Sequence, residues 1–596
     1  MVFGCGSAAT EQVVLEVDEI DSDMAFFQPD KKRVESMVIV GHTTTTQVRL
    51  WCCIHSSVQE NQENSYNLVL IQESGKRCWD SGDFMSPKKA MPTLTFDISG
   101  LIENTKYRYQ LLLNRTKAME EGTFRTSKTS YSSLTIAAYS CHDPYSWVKD
   151  KVVFGAWPEF ERRVKEGGDI DLTLGMGDQM YVDCNEMNFT NLWSWLKAHL
   201  SALKKKFANK SEDDEDNLQQ FLLRLMHQYY LVYWNVPSMK AVLGNVPGYM
   251  MWDDHEISDG WGSFTFEEQV EHLESVKSHV DADDFTKDVV KCLFIAAATA
   301  YNEFQHSHNP YGAKFTGREE NLKSYAFDYQ FRKGAEYDFF VMDMRGHHDS
   351  TKGHDRLLGQ DQMDRFEAWL QRGISPSAKN AIIVSPVPLI HWSPFVSKVL
   401  PKIQRKYLDD LMDGWEHPTN HEARNRLLND LLAKSHELEL PIVILSGDVH
   451  CPSVFVITDP TRFPNARILQ ITSSSISRKP VPPFGYYTIA GTGNLTTVDL
   501  KNKTHTKSTV HHQFIWGKAG VNNFCTVSFG KRGIDIETTF HMVKSMTGET
   551  TTKTLNLQPY LEITSSKKPV VKFARVPSEL TNDDKNTGDV SVCSSC

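Results

Sequence analysis

The chain lacks an apolar run long enough to cross a bilayer. Its longest, Cys292 to Ala298 with Thr299 and Ala300 behind it, falls far short of the roughly 20 residues a spanning helix needs and reads as a buried helix core. It lacks an excess of positive charge. A net charge of −11 excludes general nucleic-acid binding, because there is no basic surplus to release counterions from a polyphosphate. No signal peptide is read at the start: Met1–Cys5 leads into Glu11, Glu16, Asp18 and Glu19 rather than an apolar segment, so the expected location is cytoplasmic. The eleven cysteines are scattered and odd in number, which suits a reducing compartment better than a disulfide scaffold. Asn-x-Ser/Thr sequons at Asn114, Asn188, Asn209, Asn494 and Asn502 carry no information without a secretory route.

What is present is ordinary globular composition, 40% hydrophobic and 23% charged, over 596 residues, too long for one compact core. Residues 1–35 read as an acidic arm and 561–596 as a polar tail. Between Met37 and Thr126 short strands recur with turn signals between them: Met37–Val40, Gln47–Ile54, Asn67–Ile71, Thr93–Ile98, Lys106–Leu113 and Gly122–Thr126. Leu101 followed by Tyr107 and Tyr109 looks like a tyrosine corner. Residues 36–130 are therefore expected to form an immunoglobulin- or fibronectin-like β-sandwich.

From Ser133 onward nearly continuous apolar runs appear at Leu134–Ala138, Leu172–Leu174, Tyr249–Trp252, Tyr337–Met342, Ala381–Val384, Ile442–Leu445 and Ile468–Ile471, as strands buried on both faces do. Helical patterns lie between them at Phe221–Trp234, Asp284–His306, Leu358–Gln371 and His421–His436. The alternation predicts a layered α/β domain over 131–560, ending in strands Phe524–Phe529 and Ile534–Phe540 joined by a Gly530–Gly533 hairpin turn. The run Lys204–Asp216 flips charge sign and reads as a solvated loop.

Chemistry collects where these runs end. Cys141, His142 and Asp143 follow the first; Asp178 and Tyr181 the second; Asp253, Asp254, His255 and Glu256 the third. Asp343 and Arg345 follow the fourth, and Asp448 and His450 the sixth. In an open α/β sheet the carboxyl ends of the strands are where ligands bind. Each motif has a plainer reading: Gly-Asp as a turn, a strand-end Cys as inert packing, Asp-Asp-His-Glu as a solvated helix start, Asp-x-Arg as an internal ion pair. Four apolar strands each ending in metal-capable groups point instead to a metal-dependent hydrolase.

The sequence resembles the PhoD-type (alkaline phosphatase D) branch of the calcineurin-like metallophosphoesterases. The resemblance rests on Ser140-Cys141, Gly177-Asp-Gln-Met-Tyr181, Trp252-Asp-Asp-His-Glu256, Asp343-Met-Arg345 and Ser446-Gly-Asp-Val-His450, and covers most of residues 36–545. It implies an α/β fold, a layered metallophosphoesterase with a β-sandwich core flanked by helices, preceded by the smaller sandwich. It implies a ferric ion on Cys141, Asp178, Tyr181 and His450, with Asp178 bridging to a second metal, calcium, held also by Asp254 and Asp448. Thiolate and phenolate suit a high-valent transition metal, and an all-oxygen carboxylate set suits a hard divalent ion. His255 would face the substrate phosphate, steadying it or protonating the leaving oxygen. Arg345 would stabilise phosphoryl charge or pair with Asp343. The chain departs from the family in His142-Asp143, in Asp259 as an extra acid, and in having no Arg-Arg pair ahead of an apolar segment.

The expected function is hydrolysis of phosphate mono- or diesters by a metal-activated water at a centre of two or more ions. One alternative is a phospholipase D-like phosphodiesterase acting on phospholipid headgroups, with Trp261, Trp392, Phe395 and Pro482–Tyr487 as an apolar rim. Another is a non-catalytic scaffold whose sandwich binds a partner. Cys593 and Cys596 read as incidental to a polar tail.

Overall fold

A computed structural model of the protein describes residues 36–54, 65–85, 93–147, 151–183, 191–211, 214, 217–274, 284–310, 325–348, 357–393, 396, 414–499 and 504–562. The acidic arm, residues 563–596 of the tail with Cys593 and Cys596, and Phe395 lie outside the described residues. The fold is mixed α/β with several sheets, and no helix of the described residues is long and apolar enough to cross a membrane.

Two antiparallel sheets open the chain. One runs Met37–Thr43, Gln47–Cys53, Thr93–Ser99; the other is ordered Arg77–Asp80, Ser65–Gln72, Lys106–Leu113, Lys117–Arg125, with Phe84–Met85 also on Ser65–Gln72. Along Lys106–Leu113 every second side chain turns inward, the two-residue period of a half-buried strand. Val38, Val40 and Leu50 from the first sheet share one apolar core with Leu68, Leu70 and Leu111 from the second. The Tyr107 hydroxyl accepts the backbone N–H of Ile102 at 2.8 Å, as a tyrosine corner requires. Tyr109 instead reaches out of the module and donates to the Gly244 carbonyl at 2.8 Å.

The larger body has two sheets. The six-stranded one is ordered Gly248–Met251, Leu172–Met176, Leu134–Tyr139, Asn522–Phe529, Ile536–Lys544, Glu549–Asn556, its first three strands parallel. The eight-stranded one is ordered Tyr329–Lys333, Tyr337–Val341, Asn380–Ser385, Ile442–Ser446, Phe463–Thr472, Ser453–Asp459, Thr504–Gly517, Gly493–Asp499, with a parallel set from Tyr337–Val341 to Phe463–Thr472. Ile136, Leu174 and Val527 pack in one core with Ile382, Val384, Val443, Leu445 and Leu469, so the sheets share an interior. Their neighbours Ile383, Ile442, Ile444 and Ile468 point the other way, onto Leu427, Leu428 and Leu431 of the helix His421–Leu438. Strands covered on both faces account for the unbroken apolar runs.

Two helical expectations change. Lys204, Lys205 and Lys206 are not in a loop: they close the helix Leu192–Phe207, where positive charge complements the C-terminal end of the helix dipole. The helix expected at Leu358–Gln371 runs Gln360–Ala368 and continues through Trp369–Gly373 as a wider π turn. Both sheets send their parallel strands toward the same end of the molecule, and that end carries the site.

Candidate metal centre

Backbone bonds stitch the strand ends together before any side chain acts. The N–H of Cys141 donates to the Gly177 carbonyl at 3.2 Å, within the six-stranded sheet. The N–H of Ile476 donates to the Ser140 carbonyl at 2.8 Å, joining the eight-stranded sheet to it. Just past the strands the chain turns sharply: Cys141, Asp178, Asp448 and His450 have φ of 57°, 56°, 63° and 50°. Left-handed backbone in residues other than glycine is costly and clusters at functional sites. Gly177, at φ 95°, is required: a Cβ there would stand 2.6 Å from the Cβ of Asp253.

The turns aim side chains at one another. A thiol, a carboxylate and an imidazole from Cys141, Asp178 and His450 lie within 4.8 Å of each other, as do groups of Asp178, Asp254 and His255. Asp178 belongs to both sets. The Tyr181 hydroxyl donates to Asp178 Oδ2 at 2.9 Å and lies 3.4 Å from His450 Nε2. Cys141 Sγ is 3.4 Å from Asp178 Oδ2, 3.0 Å from the Ser474 hydroxyl and 3.3 Å from the Asp448 carbonyl. Ser474 Oγ also accepts the His450 N–H at 3.0 Å. The other Asp178 oxygen, Oδ1, is buried without a hydrogen-bond partner.

Behind Asp254 the arrangement differs. The Arg345 side chain is only 1% exposed; its Nε donates to Asp253 Oδ1, its Nη1 to the Trp261 carbonyl at 3.2 Å, and its Nη2 lies 3.5 Å from Asp254 Oδ1. Arg345 was expected to face phosphate or pair with Asp343. Here its guanidinium meets the buried Asp253 and Asp254, while Asp343 Oδ1 accepts the Arg345 backbone N–H at 3.0 Å. Glu256 braces the same turn, accepting the N–H groups of Gln179 at 2.8 Å and Asp253 at 3.0 Å. His255 Nδ1 donates to Asp183 Oδ1 at 2.9 Å, and its ring lies 4.2 Å from that of Tyr181.

Protonation follows from this packing. Burial pushes the Asp178 carboxyl far up; His255 draws it back, and Asp254, Asp253 and Glu256 push it further. Burial raises the Cys141 thiol likewise, with Asp178 adding to it. Burial also raises Asp254, but Arg345, His255 and the Gly260 N–H outweigh it and hold that carboxyl below its usual range. For His255 burial favours the neutral ring, and Asp183, Asp254 and Asp178 overcome it to raise the imidazole well above its usual value. Burial and Arg478 keep His450 neutral, the state in which imidazole is a metal ligand.

A buried thiol, phenol, imidazole and shared carboxylate, with one carboxylate oxygen unpartnered, are a donor set fit for a transition-metal cation. Not every candidate joins it. Asp448 lends its backbone carbonyl, but its half-buried carboxylate belongs to neither set within 4.8 Å. His142 is turned inward, 2.7 Å from the Tyr233 carbonyl and accepting the Trp157 indole N–H at 2.9 Å. Asp143 pairs with Arg478, and Asp259 is exposed. Of the expected apolar rim, Trp261 stacks on Phe294 at 5.3 Å, whereas Phe484 and Tyr487 stand in the open.

A family model for PhoD-like phosphatases matches residues 136–519. The chain belongs to the PhoD-like phosphatase family. A solved structure described as that of PhoD superposes with a TM-score of 0.57 at 15% identity, covering 88% of this chain and 90% of that one, so the two share a fold. The uncharacterized protein YGR266W of Saccharomyces cerevisiae is 24% identical over 332 residues, 47% of this chain; the chain covers 44% of that protein's length.

Within a PhoD-like frame, sequence reasoning missed Asp183, Ser474 and Arg478. Asp183 follows Asp178 by one turn of loop, and its spacing to His255 is visible only in three dimensions. Ser474 follows the strand Phe463–Thr472, a strand end whose serines carried no recognised chemistry. Arg478, buried, lies over the Tyr181 ring at 4.6 Å.

Proposed function

We propose that the protein hydrolyses phosphate mono- or diesters at a centre of two cations. The observation that carries this is Asp178, common to both clusters of donors and retaining a buried oxygen that no protein group satisfies. On this reading Cys141, Asp178, Tyr181 and His450 hold a ferric ion, and Asp178, Asp254 and Asp448 a calcium ion. When bound, such cations lower the pKa of water and neutralise phosphoryl oxygens. The chain's own residues prepare the rest. Arg345, through Asp253 and Asp254, keeps an ionised carboxylate at the second position. Asp183 holds His255 with Nδ1 as donor, leaving Nε2 for the phosphate or its leaving oxygen. The same reading makes residues 131–560 a layered metallophosphoesterase and 36–130 an immunoglobulin- or fibronectin-like sandwich fastened to it.

The test pairs Asp178→Asn with metal quantification, using p-nitrophenyl phosphate and its bis-ester. Wild type is expected to hold iron and calcium, to absorb visible light through thiolate and phenolate charge transfer, and to turn over at least one ester; the variant does none of the three. Undiminished turnover by the variant overturns the site. The scaffold reading is disfavoured by a buried thiol, carboxylate and imidazole within 4.8 Å of one another, an arrangement a binding module does not need.

A further inference from the structure

We propose that the aromatic turn Pro483–Thr488, with the loop before the helix Trp157–Lys165, docks the protein on an anionic phospholipid surface. The turn exposes Phe484 (71%), Tyr486 (43%) and Tyr487 (79%), and the neighbouring loop exposes Val152 (41%) and Phe154 (37%). Of the nine exposed large apolar side chains among the described residues, three fall in this one six-residue turn and two in the loop, so the exposure gathers in two short segments.

Both loops hang from one segment beside the metal centre. The Ala156 N–H donates to the Ile476 carbonyl at 2.8 Å, the Trp147 indole to the Ser477 carbonyl at 3.0 Å, and the Lys479 N–H to the Ser146 hydroxyl at 3.1 Å. The Val481 N–H donates to the carbonyl of His450 at 3.2 Å. The turn itself is ordered: Thr488 Oγ1 donates to the Gly485 carbonyl at 2.6 Å, and the Ser393 N–H to the Thr488 carbonyl at 2.7 Å. The rings are therefore held outward by built structure.

Charge selects the occupant. The whole chain is at −11, yet residues 479–520, which carry the turn, hold Asp499 as their one acid against five lysines. Lys151 and Lys518 are exposed beside the apolar side chains, and Lys479 is half-buried there. Gly520, two residues from Lys518, packs on Pro483 and donates its N–H to the Val481 carbonyl at 2.8 Å. Aromatic rings settle at the boundary between headgroups and acyl chains, and lysines at the surface meet anionic headgroups. A bilayer surface takes both at once.

Co-sedimentation of the full chain with phosphatidylcholine vesicles, with and without phosphatidylserine, tests this. Wild type is expected to pellet with the serine-containing vesicles and to be released by salt. Phe484→Ser with Tyr487→Ser lowers the partition coefficient about tenfold or more. Lys518→Gln lowers it about fivefold on the serine-containing vesicles alone. Turnover of soluble esters stays unchanged in both variants. Asp178→Asn pellets as wild type does, so a failure of the hydrolase reading leaves the docking result standing. Equal pelleting of wild type and the aromatic variant, or no pelleting at all, overturns the proposal. A dimer that dissolves on Phe484→Ser also overturns it, by assigning the turn to a second copy of the chain.

Discussion

At the strand ends Cys141, Asp178, Asp253 and Asp254 are buried together, acceptors and would-be anions with one guanidinium behind two of them. At the seam with the N-terminal sheets a lysine is buried among neutral groups. Lys333 is 1% exposed; its Nζ donates to the Thr43 carbonyl at 2.8 Å and the Ser127 hydroxyl at 3.0 Å, and lies 5.4 Å from the centre of the Tyr249 ring. The Lys333 ammonium is met there by neutral partners. The centre leaves an oxygen of Asp178 open. A region that satisfies itself serves the fold, and one that does not is waiting for something the chain does not supply.

The comparison can be broken at four places. The largest effect is expected from Asp178→Asn, which lowers kcat/KM about a thousandfold or more. With metal stripped from both proteins, the variant should melt no lower than wild type, because a buried carboxyl with a raised pKa is no asset to the fold. Coupled loss of activity and stability would erase the distinction between the two regions. Arg345→Met is next. It strands Asp253 and Asp254 as buried carboxylates and should cost about 3 kcal/mol or more in urea unfolding. A cost under about 1 kcal/mol would mean the guanidinium is not their main partner.

Lys333→Met probes the seam. Burial lowers the Lys333 pKa from 10.5 to about 7, with Asp171 opposing. The folded state thus binds fewer protons than the unfolded one between those values. The contribution of Lys333 is complete above the unfolded pKa and lost as pH falls through the folded one. The advantage of wild type over Lys333→Met should widen by about 1 kcal/mol per pH unit on going from neutral to mildly alkaline buffer. Parallel urea midpoints at both ends would refute it. Ester turnover, measured at one pH, should not distinguish the two proteins. The smallest effect belongs to Asp183→Asn, about tenfold in kcat. On a His255→Ala background it should cost nothing more, and an additive loss would show that Asp183 does not act through His255.

Much of the centre was legible because a parallel sheet concentrates chemistry at its carboxyl ends, and apolar runs mark where those ends fall. Cys141, Asp178, Tyr181, Asp254, His255 and His450 could be named that way. Direction was not legible. The pairing of Arg345 with Asp253, residues 92 positions apart, has no mark in the sequence. Strands without an apolar signature were also invisible. Glu549–Asn556 is a nearly fully exposed edge built largely of threonine, and Thr504–Gly517 carries threonine, lysine and histidine along the eight-stranded sheet. Pairing order was hidden as well: the strand Asn522–Phe529 inserts beside Leu134–Tyr139, nearly four hundred residues earlier.

The left-handed turns at Cys141, Asp178, Asp448 and His450 bear on how the protein would respond to selection in the laboratory. Asparagine, aspartate, histidine and glycine enter that conformation more readily than other residues, whereas cysteine costs about 1–2 kcal/mol there. A library screened for heat resistance alone should therefore discard cysteine at position 141 in favour of asparagine or glycine. The same library screened for activity should restore it. The two screens would pull this codon in opposite directions, and the divergence itself would mark it.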